Sequence, residues 1–357
     1  MNLRAWLVLS RASNLPTVWS SILVGWLAAT YLDGMSDSLY FGLARMDFSR
    51  PASAPILFWP LAALLLAISA IYVGGMILND FFDAAWDAQH RPARPIPSGA
   101  VSRKAAGIVG YGLLFAGAAG AILVRSLRMA AVPEVAAGKQ GSDVGLFAVL
   151  VFALVAGVLV YDRWHKGVSW APAVMGLCRA LLPPLGFLVA GERLYLLPLP
   201  MGDADWIMLA HMFGLWLLTF AITLVARHEA TGGGAGRWVE GLLFIAPLPM
   251  FFAVGLFWPW MLLWSGVYVW WLLRSNRLNP LPTGVGARVA DRLASMPLID
   301  VMTSGYVAFI SLALLVKRKG VHPEALFDAG CLLLLAVGTA PFAMRLVLRW
   351  RKQIPST

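Results

Sequence analysis

The chain has 357 residues, 60% of them hydrophobic and 13% charged, with a net charge of +10 and a mean hydropathy of +0.74. A soluble domain carries about a quarter charged residues, so this composition excludes a soluble domain of ordinary size. Runs of about 20 apolar residues recur along the chain, as in helices that cross a bilayer; the expectation is an all-α polytopic membrane protein, one domain over residues 1–357.

Two cysteines, Cys178 and Cys331, both lie in apolar runs, which suggests neither a disulfide framework nor a zinc site. The five histidines are scattered singly, without metal-ligand spacing. No cleavable signal peptide is expected, because after Arg11 the first apolar run continues as a span. Excess Lys and Arg in such a protein mark cytoplasmic loops and lipid headgroups rather than a nucleic-acid partner.

Ten spans are read in order, near 14–32, 56–80, 104–124, 144–161, 170–190, 206–226, 239–257, 258–273, 298–316 and 326–347. With the N-terminus in the cytoplasm, 18 Lys and Arg residues fall inside and nine outside, the asymmetry of the positive-inside rule. Lys317–Lys319 is the one dissenting cluster, so the last two spans are the least secure.

The second span ends in Leu78-Asn79-Asp80-Phe81-Phe82-Asp83-Ala84-Ala85-Trp86-Asp87. At about 100° per residue the three aspartates share an arc of roughly 60°. Carboxylates so placed repel one another, and burying them unpaired is costly. A divalent cation relieves that repulsion, and Mg²⁺ binds through one or two carboxylates together with waters and substrate phosphates. The helix end adds free carbonyls and the negative end of the dipole. Arg91, Arg94, Arg103 and Lys104 follow and suit an anion held by that metal. The stretch reads as a Mg²⁺–diphosphate site at the membrane surface; the plainer alternative is a solvated loop in which acids and bases pair.

Further along, Tyr161-Asp162-Arg163-Trp164-His165-Lys166 closes the fourth span on the same side. Arg179 lies halfway along the fifth, where a charge normally faces an interior pocket or a partner. It suits an anionic acceptor, a carboxylate of the acidic stretch, or a structural ion pair. The sixth span ends in Arg227-His228-Glu229-Ala230-Thr231-Gly232-Gly233-Gly234, whose glycines make either a lid or a flexible turn.

Asn79-Asp80-x-x-Asp83-x-x-x-Asp87 followed by Arg94-Pro95-Ile96-Pro97-Ser98-Gly99 resembles the first signature of the UbiA superfamily of intramembrane prenyltransferases. Ser10-Arg11-Ala12-Ser13-Asn14 resembles that family's first helix, and within the superfamily the chain most resembles the EboC-like branch. The resemblance implies nine or so helices around a central cavity. It also implies transfer of a prenyl group from an allylic diphosphate to an acceptor, aromatic or lipid-like, at the cytoplasmic face of a bacterial inner membrane. Asp80, Asp83, Asp87 and Glu229 would hold Mg²⁺. Arg11, Asn14, Asn79, Arg94, Lys166 and Arg179 would bind the substrates.

Two departures stand out. Where the family has a second pair of aspartates only Glu229 is acidic, and where it has an arginine before Asn79 this chain has Tyr72. One extra residue also separates Tyr161 from Lys166. A lipid- or isoprenoid-binding or transport protein on the same scaffold is the alternative.

Overall fold

The computed structural model describes residues 3–32, 54–130, 144–190, 203–227, 237–254, 258–280, 285–319, 338 and 341–350. Short α1 (Leu3–Ser10) turns through Ala12–Asn14 into α2 (Leu15–Leu32), whose Pro16 sits in the first turn, where no amide is needed. Then come α3 (Ala54–His90), α4 (Arg103–Ala130) and α5 (Val144–Trp164). The pair α6 (Ala171–Ala180) and α7 (Leu182–Ala190) precedes α8 (Asp203–Arg227). Two short helices, α9 (Arg237–Ile245) and α10 (Leu248–Val254), lead to α11 (Trp258–Leu278), α12 (Val285–Ala294) and α13 (Met296–Lys319). Residues 341–350 are helical. Among the described residues there is no strand.

Among the described residues, five helical stretches are long and apolar enough to cross a bilayer: Trp59–His90, Arg103–Ala130, Val144–Trp164, Ala171–Ala190 and Trp206–Arg227. Large side chains such as Leu66, Ile108, Phe152 and Phe213 point outward and exposed, as lipid-facing residues do. Nothing polar competes for the interior at α7, where every residue from Leu182 to Val189 is buried.

The structure refines three of the expected spans. The second span does not end at residue 80; α3 runs on to His90, because Phe81–Gln89 contains no Gly or Pro, and Pro92 then stops it. Its 37 residues make about 55 Å, against about 30 Å of hydrocarbon, so the last three turns stand clear of the apolar slab. The carbonyls beside Asp80 and Asp83 are therefore bonded within the helix and offer a cation nothing. The fifth span is two helices, interrupted at Leu181 just before Pro183-Pro184. The seventh is also two, α9 and α10, parted at Ala246-Pro247. Residues 326–337 of the tenth span lie outside the described residues.

The α2–α7 contact brings backbone against backbone. A Cβ on Gly25 would lie 1.8 Å from the Pro183 carbonyl oxygen, and one on Gly186 would lie 2.0 Å from that of Ile22. Gly25→Ala should therefore destabilise the protein by about 1–3 kcal/mol through overpacking, although alanine is the better helix former by about 1 kcal/mol. Gly112→Ala on α4, with nothing within 4 Å, should be neutral or stabilising. Thermal denaturation in detergent checks this; equal behaviour of the two variants contradicts the packing.

Candidate active site

The last turns of α3 turn their acidic face inward. Asp80, Asp83 and Asp87 are 5%, 9% and 1% exposed, and Asn79 beside them is 7% exposed. Buried carboxylates need compensation, and it arrives from three different segments. Asp80 Oδ1 accepts from Arg11 Nη2 at 3.0 Å and from Arg94 Nη1 at 3.3 Å. The same Arg94 nitrogen reaches Asp87 Oδ2 at 2.8 Å, so one guanidinium clamps two aspartates a helical repeat apart. Asp83 Oδ1 meets Lys166 Nζ at 2.7 Å, and its Oδ2 lies 3.6 Å from His165 Nε2.

Each basic partner is held by local structure. Arg11 joins α1 to the following 3₁₀ turn in the left-handed region (φ 44°, ψ 36°), a conformation costing a non-glycine residue about 1–2 kcal/mol. Such strain persists where the surroundings impose it, often at functional sites. Arg94 rides on a proline-rich loop fastened by hydrogen bonds from Ser98 N to Arg94 O (3.0 Å) and Val101 N to Pro95 O (3.0 Å). Ile96 and Val101 anchor that loop in a small core with Leu9, Ile77 and Ala84. Lys166 follows the end of α5 and lies 4.3 Å from the Trp86 ring centroid, a cation–π contact, while His90 stacks on that indole at 4.0 Å.

A fourth carboxylate joins this group. Asp162, 3% exposed at the end of α5, accepts from Asn79 Nδ2 at 3.2 Å. Burial holds His165 below the ordinary histidine value, against the pull of Asp83, so the cationic partner of Asp83 at neutral pH is Lys166. Two buried carboxylate oxygens, Asp87 Oδ1 and Asp162 Oδ2, have no hydrogen-bond partner. Among the described residues no three acidic, histidine or cysteine side chains enclose a metal by themselves. The donors at this helix end are nevertheless all oxygens, and the ion Mg²⁺ asks for only one or two carboxylates beside phosphates and waters. The residues thus fit an open Mg²⁺ site.

Of the residues expected at the site, the structure places Asn79, the three aspartates, Arg11, Arg94 and Lys166 together. Asn14 is buried next to Arg11, its carbonyl accepting the Thr17 hydroxyl at 2.8 Å. Lys104 is exposed, and Arg103 donates to the Phe81 carbonyl instead of to the acids. Glu229 and the glycine run lie outside the described residues. Arg179 does not meet the acidic stretch: its bonds go to Thr17 Oγ1 on α2 and Met296 Sδ on α13.

Sequence reasoning missed Asp162 as an acid, although it lay inside a quoted motif. It also missed a second buried cluster. Asp300 accepts from Ser20 Oγ at 2.5 Å and Ser21 Oγ at 3.3 Å, and its Oδ1 lies 3.2 Å from His211 Nε2. Thr303 Oγ1 is 2.7 Å from His211 Nδ1. A lone aspartate early in an apolar run, five residues after Ser295, was the available signal.

The chain is similar to known proteins. The model of the UbiA prenyltransferase family matches residues 39–288, well over half of the chain. The chain is 36% identical over 94 residues to a protein of Methanoregula boonei named digeranylgeranylglyceryl phosphate synthase, covering 26% of this chain and 33% of that one. Proteins of the same name match at 33% identity over 128 residues in Methanopyrus kandleri and 39% over 121 in Methanothermobacter thermautotrophicus. These cover 36% and 34% of this chain and 38% and 32% of the relatives, so the chain aligns with about a third of each relative's length. A solved structure concerned with digeranylgeranylglyceryl phosphate synthase in membranes superposes with a TM-score of 0.52 over 85% of this chain and 98% of the other, at 12% identity, which speaks to the fold.

If the pairs are as tightly bound as their burial suggests, Arg11 and Asp80 are energetically coupled. A double-mutant cycle of Arg11→Gly (glycine keeps the left-handed turn) and Asp80→Asn should give a coupling of about 1–3 kcal/mol. SDS-unfolding in mixed micelles measures it; additive effects within about 0.5 kcal/mol contradict the pairing.

Proposed function

The chain belongs to the UbiA prenyltransferase family, and on that premise we propose that it transfers a prenyl group from an allylic prenyl diphosphate to a lipid-like or aromatic acceptor within the membrane. The observation that carries this reading is the convergence of Asp80, Asp83, Asp87 and Asp162 with Arg11, Arg94 and Lys166 at one end of the bundle. Four buried acids met by two half-buried arginines and an exposed lysine serve no apolar core; they suit a ligand that itself brings both signs of charge.

In the reaction the allylic C–O bond breaks and the diphosphate leaves with the electron pair. The acceptor's nucleophile bonds to the allylic carbon and gives up its proton. Negative charge builds on the departing oxygen, so Arg11, Arg94 and Lys166, already in place, lower the barrier as they turn from carboxylate to diphosphate. Arg94 offers a planar fork suited to phosphate oxygens, and Lys166 a compact point charge. Asp80, Asp83 and Asp87, with Asn79, would hold Mg²⁺; Glu229 is proposed as a further ligand. Bound there, the ion would polarise the diphosphate and neutralise part of its charge. The acids do further work of their own: they fix the orientations of the three bases before substrate arrives.

The glycerol phosphate product named for the archaeal relatives makes a lipid-like acceptor the better-supported choice. The excess of positive charge on the loops of this side supports a cytoplasm-facing site, in a single membrane domain without a nucleic-acid partner.

Asp83→Asn should lower pyrophosphate release from radiolabelled geranylgeranyl diphosphate by about 10²–10³, and EDTA should abolish release by the wild type. Turnover unchanged by either treatment refutes the assignment. Binding of the diphosphate without any pyrophosphate release would favour a transport or lipid-binding role.

A further inference from the structure

We propose that Arg179, held beside the break in the membrane helix pair α6–α7 and the start of α13, forms a second anion site that receives the phosphate or carboxylate of the acceptor. This rests on the prenyl-transfer reading of the acidic site. The helix pair α6–α7 is interrupted one residue after Ala180, and α12–α13 is interrupted at Ser295. Arg179 closes the space between them, donating to Met296 Sδ at the start of α13 and to Thr17 Oγ1 on α2. Interrupted helices inside a membrane are tolerated where they line a cavity or bind a substrate.

The partners are what make the site unusual. A guanidinium carries five donors, and here both acceptors are uncharged, a hydroxyl and a thioether. The Arg179 side chain is only half-buried, so Thr17 and Met296 do not seal it off. The charge whose field reaches it is Asp300, which makes no direct contact with it. Asp300 is instead engaged by Ser20, Ser21 and His211. Thr17, Ser20 and Ser21 stand along one side of α2 and keep cation and anion apart, each in its own shell. A structural ion pair would have brought the two together. Kept apart, Arg179 retains an attraction for an incoming anion.

The position suits an acceptor. The fields of both Arg11 and Arg179 reach Tyr72, on α3. Tyr72 precedes Asp80 by eight residues, about 12 Å along the helix. Long side chains shorten that gap from both sides. An acceptor with its anion on Arg179 therefore points a hydroxyl a few bonds away back toward the diphosphate end. Tyr72, where the family carries an arginine, leaves Arg179 without a cationic competitor on that helix.

Binding in detergent, by calorimetry and without prenyl diphosphate or Mg²⁺, tests this. The probes are geranylgeranylglyceryl phosphate, its alcohol geranylgeranylglycerol, and 4-hydroxybenzoate. The wild type should bind the phosphate lipid at least tenfold tighter than the alcohol, or 4-hydroxybenzoate at least tenfold tighter than phenol; which arm responds tells phosphate from carboxylate. Arg179→Gln should erase that preference, with Mg²⁺–geranylgeranyl diphosphate affinity kept within threefold as proof of folding. Asp300→Asn should raise anion affinity severalfold, the opposite of what loss of a structural partner would do. Absence of anion preference in the wild type, its survival in Arg179→Gln, or weaker anion binding in Asp300→Asn overturns the proposal. Should Arg179→Gln not fold, Arg179→Lys and Asp300→Asn decide by the same criteria. Anion preference persisting in a protein that releases no pyrophosphate would instead sink the prenyl-transfer reading alone.

Discussion

Everything at the acidic end of this bundle follows from one electrostatic constraint: four carboxylates have been withdrawn from water, and each must be answered. Asp80, Asp83 and Asp87 are answered by Arg11, Arg94 and Lys166, and Asp162 by the amide of Asn79. The partners come from the α1–α2 junction, the α3–α4 loop and the α5–α6 loop, so the ion pairs also tie three connections to one helix. Buried pairs of this kind add little net stability, yet breaking one is expensive. The arrangement is better understood as a set of charges stored near balance, ready to exchange partners when a metal and a diphosphate enter together.

Geometry makes that storage possible. Helix α3 outruns the hydrocarbon thickness, so its acids stand at the membrane edge, while the Arg94 loop, pinned by its prolines and by Ile96 and Val101, folds back over them. Deeper in, α7 is buried from Leu182 to Val189 and packs backbone to backbone on α2. Beside that seam Arg179 sits next to the break at Leu181, while Asp300 and His211 meet between α13 and α8.

Much of this was legible in the residues. The spacing of Asp80, Asp83 and Asp87 fixed their common face, and of the basic residues that follow them Arg94 is a partner, while Arg11 and Lys166 come from distant segments. What escaped has physical reasons. A hydropathy run ends when charge begins, but a helix ends only when its hydrogen bonds do, so α3 was cut ten residues short. Breaks at Leu181 and Ser295 are invisible to an apolar average, because Pro183 and Pro297 lie in otherwise suitable helical sequence. Asp300 and His211 are 89 residues apart in the chain and meet only through packing of α8 against α13. Arg179 was noticed by its cost, but its neutral partners were not foreseeable from one strand of sequence.

The most direct measurement is a Mn²⁺ titration followed by electron paramagnetic resonance, with and without a non-hydrolysable geranylgeranyl thiolodiphosphate. If the acids are already neutralised by bases, the metal alone binds weakly, and the two ligands strengthen each other's binding by the same factor, ten or more on the scale of about 1.4 kcal/mol of coupling. Tight Mn²⁺ binding that is indifferent to the diphosphate would contradict the account.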